Sequence, residues 1–453
     1  MRKIATSFAL VAFAIATAMP ARAQSRPPIV RDAEIEELLV DYARPLYKAA
    51  GLRADRTDII LVNSSAFNAF VSGTKIFIHT GTIVRSETPN EVIGVLAHEI
   101  GHLAGGHQDR LRQQLDRAQT IATVSAILGA TAAVAAGSAG NSAGVSAGGG
   151  LAMGGAEAAR RGLLTYQRSE ELTADRAAIG YLEKTGQSPK GMLVTFERLQ
   201  RDLSLVSDRI NPYKVSHPLP RERISALQDT ARKSRFFNKT DPAALQERHE
   251  MARAKIIAYV SGPGAAESFA QSTKSKKAAQ YARAIAKFLY GSPREALPMI
   301  DKLIAGDPSN PYLHEMKGEI QLKAGDARAA ADAFSKAARL DKQGSSLIQS
   351  ELGHALVLQG DPQSLRRAVG ELEVALSLDP VNPQGYRYLA MAYGRLGEVG
   401  EADLATAEQH FHSGLYKEAA VFAARAKRRF PPRSPQWLRA DDIQRFKPPK
   451  RGR

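Results

Sequence analysis

The chain has 453 residues, room for about three domains and a sizeable core, and it contains no cysteine, which excludes disulfide frameworks, thiolate metal sites and cysteine nucleophiles. With 44% hydrophobic, 24% charged and 6% aromatic residues it is an Ala-rich globular chain of helical bias, which argues against an all-β sandwich. The net charge of +16 is concentrated at the end, where residues 421–453 hold 11 basic and 2 acidic groups against 15 and 18 in residues 281–420. A basic tail of this kind can meet phosphate, but no aromatic-interleaved motif accompanies it, so it reads as a solvated end and no nucleic-acid partner is expected.

Arg2 and Lys3 precede an apolar run from Ile4 to Met19, and Ala21-Arg22-Ala23 has the small-x-small spacing of a cleavage site. Residues 1–23 therefore read as a secretory leader, and an exported chain without cysteine suits a bacterial periplasm. A helix follows over Asp32 to Ala50, with Leu38, Leu39, Tyr42 and Leu46 on one face. The period then changes to two. Asp58 to Val62, Asn68 to Val71 and Lys75 to His79 are short β-rich runs that predict a small antiparallel hairpin system. Pro89 and Asn90 open a long helix expected to reach about Arg117.

Residues 118–156 carry no charge, and 22 of those 39 are Ala or Gly. A membrane segment is one reading, but Ala and Gly contribute little transfer energy, so a mobile or loosely helical hairpin near the site is preferred. Helix is expected to resume around Arg160 and again after Pro189. Past residue 225 the chain reads as helix after helix. Gly318, Ala330, Phe334 and Ala337 fall in the register of a tetratricopeptide repeat, and so do Leu352, Gly353, Ala368, Leu372, Ala375 and Pro380. Leu389, Ala390 and Tyr393 open a third copy, and three to four repeats would form a curved array with a concave face for partners.

The most informative residues are His98-Glu99-Ile100-Gly101-His102, an HExxH motif. On a helix, residues four apart share a face, so both imidazoles can bind one zinc ion while Glu99 faces the adjacent water. Catalytic zinc needs a third protein ligand and one open position. A histidine six residues after His102 is absent, since Gln108 stands there. His107 misses by one residue, about 100° around a continuous helix, and is expected behind the ligands or at the surface. The other source is a carboxylate on a second helix. Glu171 and Asp175 are four apart in Glu171-Leu172-Thr173-Ala174-Asp175, so one can bind the metal while the other accepts a hydrogen bond from a ligating imidazole. Glu170 is expected to face solvent.

These residues, together with Ser216-His217-Pro218 and Arg223-Ile224, resemble the HtpX-related family of gluzincin metallopeptidases, and the leader, the repeats and Ala440-Asp441-Asp442-Ile443 resemble its periplasmic members. The resemblance implies that His98, His102 and Glu171 bind one zinc ion, that Glu99 is the general base, and that Asp175 supports a ligand. It also places His217 at the active site, as a resting-state ligand or a transition-state donor, and puts Arg223 near the same chemistry. It implies a mainly α chain, with a zincin-type α+β protease domain over residues 24–230. A helical connector over 231–280, a repeat solenoid over 281–432 and a basic tail over 433–453 would follow. Partners implied are unfolded or misassembled envelope polypeptides and, through the repeats, the outer-membrane β-barrel assembly machinery, with peripheral membrane contact as a further expectation.

An extended substrate needs an edge to pair with, and Asn68, Ala69, Phe70 and Val71 are the candidate strand. His217 or Arg223 would stabilise the oxyanion. The competing reading is a periplasmic chaperone or scaffold with structural zinc, and a third is a membrane-attached protease. Glu99 favours an enzyme, because structural zinc requires no adjacent base.

Overall fold

The computed structural model describes residues 28–53, 59–139, 141–205, 217 and 221–448. The leader expected over 1–23, residues Ser216 and Pro218 beside His217, and the last basic residues of the tail lie outside these. Strand β1 (Ile29–Val30) leads into helix α1 (Ala33–Ala49), capped by Asp32, whose carboxylate accepts from the Ile35 amide at 2.9 Å. The apolar face expected for this helix is buried along its whole length, from Ile35 to Tyr47.

The sheet is mixed. Strands β2 (Ile59–Val62), β3 (Ala69–Ser72) and β4 (Lys75–His79) join β1 in the order β1-β2-β4-β3. β3 and β4 form the expected antiparallel hairpin, with Phe70 opposite Phe77, but β2 pairs with β4 in parallel, Ile59 opposite Ile76 and Val62 opposite His79. The reason lies in the connector after β2. The Thr80 hydroxyl binds the backbone of Ser64 and the Thr82 hydroxyl binds both backbone groups of Asn68, at 2.8–3.1 Å, which holds the chain across the end of β4 and delivers β3 to its far side. β3 is thus an edge strand, and Asn68 lies just before it rather than in it.

After α2 (Thr80–Arg85), helix α3 (Pro89–Gly105) begins at a Thr88–Glu91 capping box with Pro89 at its first turn. It does not continue to Arg117. Gly106 takes the left-handed conformation, φ 64°, and ends it, and α4 (His107–Ser138) starts in a new direction. Helix α5 (Ser142–Lys184) is unbroken for 43 residues, so the uncharged segment is two regular helices rather than a loose hairpin, and helix does not wait for Arg160. Asn141 caps α5 by accepting from the Gly144 amide. Helices α6 (Lys190–Leu205) and α7 (Arg221–Arg232) complete this half.

One core joins these elements: Leu38, Leu39 and Leu46 from α1, Ile76 and Ile78 from β4, Val92, Leu96 and Ile100 from α3, Leu182 from α5 and Phe196 from α6. Each such side chain contributes about 2 kcal/mol by leaving water. Helix α5 crosses α3 at Gly101, where any Cβ would lie 2.8 Å from the Ala174 carbonyl oxygen. That contact sets Glu171 and Asp175 beside the two motif histidines.

Helix α8 (Ala243–Ser272) begins a helical array that continues through α9 (Lys276–Tyr290), α10 (Pro293–Gly306) and α11 (Pro311–Lys323) to α18 (Pro435–Arg445), each helix packing on the next. Phe334 sits over Gly318 and Leu372 over Gly353, as expected of those small positions. The expected solvated tail starts with α18, which buries Ala440 and Ile443 and pairs Arg439 with Glu408. The array closes on the first half through a buried charge cluster. The Lys255 ammonium on α8 lies 2.7 Å from Asp32, 3.5 Å from Glu34 and 3.8 Å from Glu315, and the Tyr281 hydroxyl donates to Glu34 at 3.0 Å. Burial disfavours the Lys255 charge, but the acids around it hold its pKa well above the ordinary value.

Candidate metal centre

Four side chains from three places in the chain converge. His98 and His102 stand on one face of α3, Glu171 reaches them from α5, and His217 comes from the stretch between α6 and α7; one donor atom of each lies within 4.8 Å of the others. His98 Nε2 is 3.1 Å from His102 Nε2, 3.4 Å from Glu171 Oε2 and 3.3 Å from His217 Nδ1. Glu171 Oε1 is 3.3 Å from His102 Nε2 and 3.1 Å from His217 Nδ1. Two donors about 2.0–2.1 Å from one tetrahedral ion stand about 3.3 Å apart, so these separations match the edges of a metal site. The donor set, nitrogen with one carboxylate oxygen, also fits zinc.

Glu99 gives independent support. It is fully buried, and neither carboxylate oxygen has a hydrogen-bond donor among the described residues; its nearest recorded neighbour is His217 Nε2, 3.5 Å away. A dry, unsatisfied carboxylate is costly, and water held in the adjacent cleft would satisfy it. The cleft is lined by Glu99, His102, Glu171 and His217, and on its far side by Phe70 and Val71 of edge strand β3. Of the four strand candidates, Phe70 and Val71 line the cleft, while the Ala69 side chain is fully buried and the Asn68 backbone is bound to Thr82.

Asp175 lies 2.9 Å from His98 Nδ1, behind the ring. Arg223, expected among the groups that touch the reaction, instead spends its guanidinium on the carboxylates: Nη1 lies 2.7 Å from Glu171, and Nε and Nη2 donate to Asp175 at 2.6 and 2.9 Å. Its plane sits 5.1 Å from the Phe196 ring centre, and it does not line the cleft. The correction is geometric, because α7 packs behind α5 rather than across the opening. The electrostatics follow. Burial would raise both carboxyls, but His217 and the two motif histidines hold Glu171 well below the usual range, and Arg223 with His98 lowers Asp175. Burial opposes a charge on His98, yet Asp175 and Glu171 outweigh it and lift its pKa to about 9. The same field would favour a cation between the donors.

The structure places His107 behind a ligand, one of its two expected positions, and corrects the solvent-facing expectation for Glu170. His107 is buried, with Nδ1 2.8 Å from His102 Nδ1, and Glu170 lies 2.9 Å from His107 Nε2 while accepting from Arg110 at 2.6 Å. The 100° argument assumed one continuous helix. The break at Gly106 turns His107 back, and a Cβ at Gly105 would overlap the His107 ring, so Gly105-Gly106 was the available signal. If His102 presents Nε2 to a cation, its Nδ1 proton faces His107, whose own proton then sits on Nε2 toward Glu170. Burial first, then His102, lowers the His107 pKa to about 4, consistent with the neutral ring this relay requires. His107→Phe should weaken zinc affinity about 10- to 100-fold in a chelator competition. An unchanged affinity would show that the relay does not hold His102.

An HExxH helix facing a carboxylate from a second helix is an arrangement suited to a metallopeptidase. Residues 30–231 match Peptidase family M48, and this part of the chain is similar to a peptidase M48 domain. The chain is homologous to the beta-barrel assembly-enhancing protease (BepA) of Escherichia coli (strain K12), at 24% identity over 402 residues covering 86% of this chain and 78% of the relative. The protein of that name from Yersinia pestis is 25% identical over 367 residues, covering 79% and 72%. Metalloprotease YcaL of Escherichia coli (strain K12) is 31% identical over 140 residues, covering 31% of this chain and 48% of the relative.

Proposed function

We propose that the chain is a zinc-dependent endopeptidase of the periplasm that degrades misfolded or stalled envelope polypeptides in outer-membrane β-barrel assembly quality control. The observation that carries this reading is the convergence of His98, His102 and Glu171 beside a buried, unsatisfied Glu99. The relatives named for barrel assembly and the leader-like residues 1–23 support the location and the substrate class. The array, read as tetratricopeptide repeats, is the surface that docks the assembly machinery.

His98, His102 and Glu171 would hold the ion, one per chain, which when bound acts as a Lewis acid and lowers the pKa of its water. Glu99 would take a proton from a water in the cleft and return it to the leaving amine. His217 Nδ1 sits among the donors, so its imidazole must give way for a peptide carbonyl and then donate to the developing oxyanion. Asp175 orients His98, and Arg223 holds Glu171 and Asp175 in place. Extended substrate pairs along β3, with Phe70 and Val71 beside the scissile bond. Unfolded chains offer an extended backbone more readily than folded proteins, whose edge strands are short or protected.

Stripping the purified protein with a chelator should cut cleavage of an unfolded polypeptide at least about 10²-fold, and zinc should restore it. Metal analysis should find one ion per chain, lost in Glu171→Ala. Cleavage that survives chelation overturns the reading, and full metal content in Glu171→Ala overturns the ligand assignment. The scaffold alternative predicts metal content without cleavage.

A further inference from the structure

Helices α4 and α5 extend side by side away from the metal centre, and from Ala118 to Ala156 neither carries an ionisable side chain. Their packing inverts that of a water-soluble helix pair, which buries large apolar side chains between the helices and turns charge outward. Here the contact face is built from the smallest residues. A Cβ on Gly129 would lie 2.5 Å from the Gly148 carbonyl oxygen and 2.8 Å from Ala152 Cβ, and one on Gly148 would lie 2.7 Å from the Ala133 amide nitrogen. Gly129 with Ala133, and Gly148 with Ala152, are the small-xxx-small pairs by which helices approach in lipid.

The large apolar side chains point the other way. Ile127 and Leu128 are 57% and 54% exposed, Val134 72% and Met153 77%. They are not confined to one stripe: at 100° per residue, Val145, Leu151 and Met153 leave α5 in three directions. A protein partner in a groove would cover one face, whereas a hydrocarbon solvent covers all of them. Length and charge agree. From Arg117 to Ser138 the helix rises about 31 Å, close to the hydrocarbon thickness of about 30 Å. α4 is long and apolar enough to cross a membrane, with 6% of its apolar window buried. At the base stand Arg112 and Arg117 on α4 and Arg160 and Arg161 on α5, the last two paired with Glu157 at 3.0 and 2.8 Å.

We propose that the α4–α5 hairpin inserts tip first into a lipid bilayer, with the basal arginines among anionic headgroups. Because α5 is continuous, Glu171 then stands about 21 Å along the helix from Glu157 at the headgroup level. Lipid anchoring stands whether or not the site cleaves peptides. It fixes which polypeptides could arrive: those emerging at a membrane surface.

The chain has no cysteine, so Val134→Cys and, on α14 (Pro362–Leu378), Gln363→Cys each place one environment-sensitive fluorophore on the full chain. With vesicles of phosphatidylethanolamine and phosphatidylglycerol, the probe at position 134 should shift to the blue and lose quenching by iodide, the probe at 363 should not change, and the shift should survive high salt. Adding Ile127→Asp and Leu128→Asp should abolish the shift while helicity and zinc content stay unchanged. Because the probe reports the hairpin itself, lipid binding by residues 1–23 does not confuse the result. Undiminished iodide quenching on vesicles overturns the proposal. So does a shift reversed by salt, which would mean adsorption through the arginines only. Protection present before lipid is added would mean a second copy covers the face, and it overturns the proposal equally.

Discussion

Glu99→Gln should lower turnover of an unfolded polypeptide about 10²- to 10⁴-fold, the range ordinarily supplied by a positioned acid–base group. The substitution is close to isosteric, so it fits a site where Glu99 has no solvent exposure, and it removes no metal donor. Zinc stoichiometry, thermal midpoint and far-ultraviolet dichroism should therefore match the parent. What the amide lacks is the capacity to accept and return a proton. A rate within about tenfold of the parent, at equal zinc content, would remove Glu99 from the role assigned to it.

Arg223→Met carries the largest expected structural effect. The guanidinium is 2% exposed and touches both Glu171 and Asp175, and truncating one partner of a buried ionic group leaves uncompensated charge worth about 3–5 kcal/mol. Arg223→Lys should rescue little, since a single ammonium cannot grip Asp175 through two nitrogens while reaching Glu171. Urea unfolding of metal-free and zinc-loaded protein separates the contributions. The loss should be greater without metal, because bound zinc supplies part of the positive charge that Arg223 provided. A loss below about 1 kcal/mol in the metal-free state would show that the carboxylates do not depend on Arg223.

The half of the centre set by short-range periodicity was legible in the sequence. His98 with His102 and Glu171 with Asp175 each follow from a spacing of four, and the buried face of α1 from its apolar repeat. What required coordinates were the places where one residue redirects the chain. Gly106 ends α3 early and brings His107 against His102, and two threonine hydroxyls move β3 to the far side of β4 and make β2 and β4 parallel. Arg223 could be placed near the site from its motif, but only the packing of α7 behind α5 shows it clasping carboxylates instead of facing the cleft. The hairpin was ambiguous for a physical reason. Ala and Gly say little about burial, and the deciding observation is which side chains lie between the helices and which face outward.

The cluster around Lys255 has a further consequence. Asp32 caps the first turn of α1 and also neutralises an ammonium carried by α8, with Glu34 from α1 and Glu315 from α11 close by. Pulling the two halves apart would strand an amine and three acids in a dry seam, so neither side of that seam can melt far ahead of the other. Heat or tension applied at this end of the array would thus be felt at α1, and α1, α8 and α11 are expected to lose their order together.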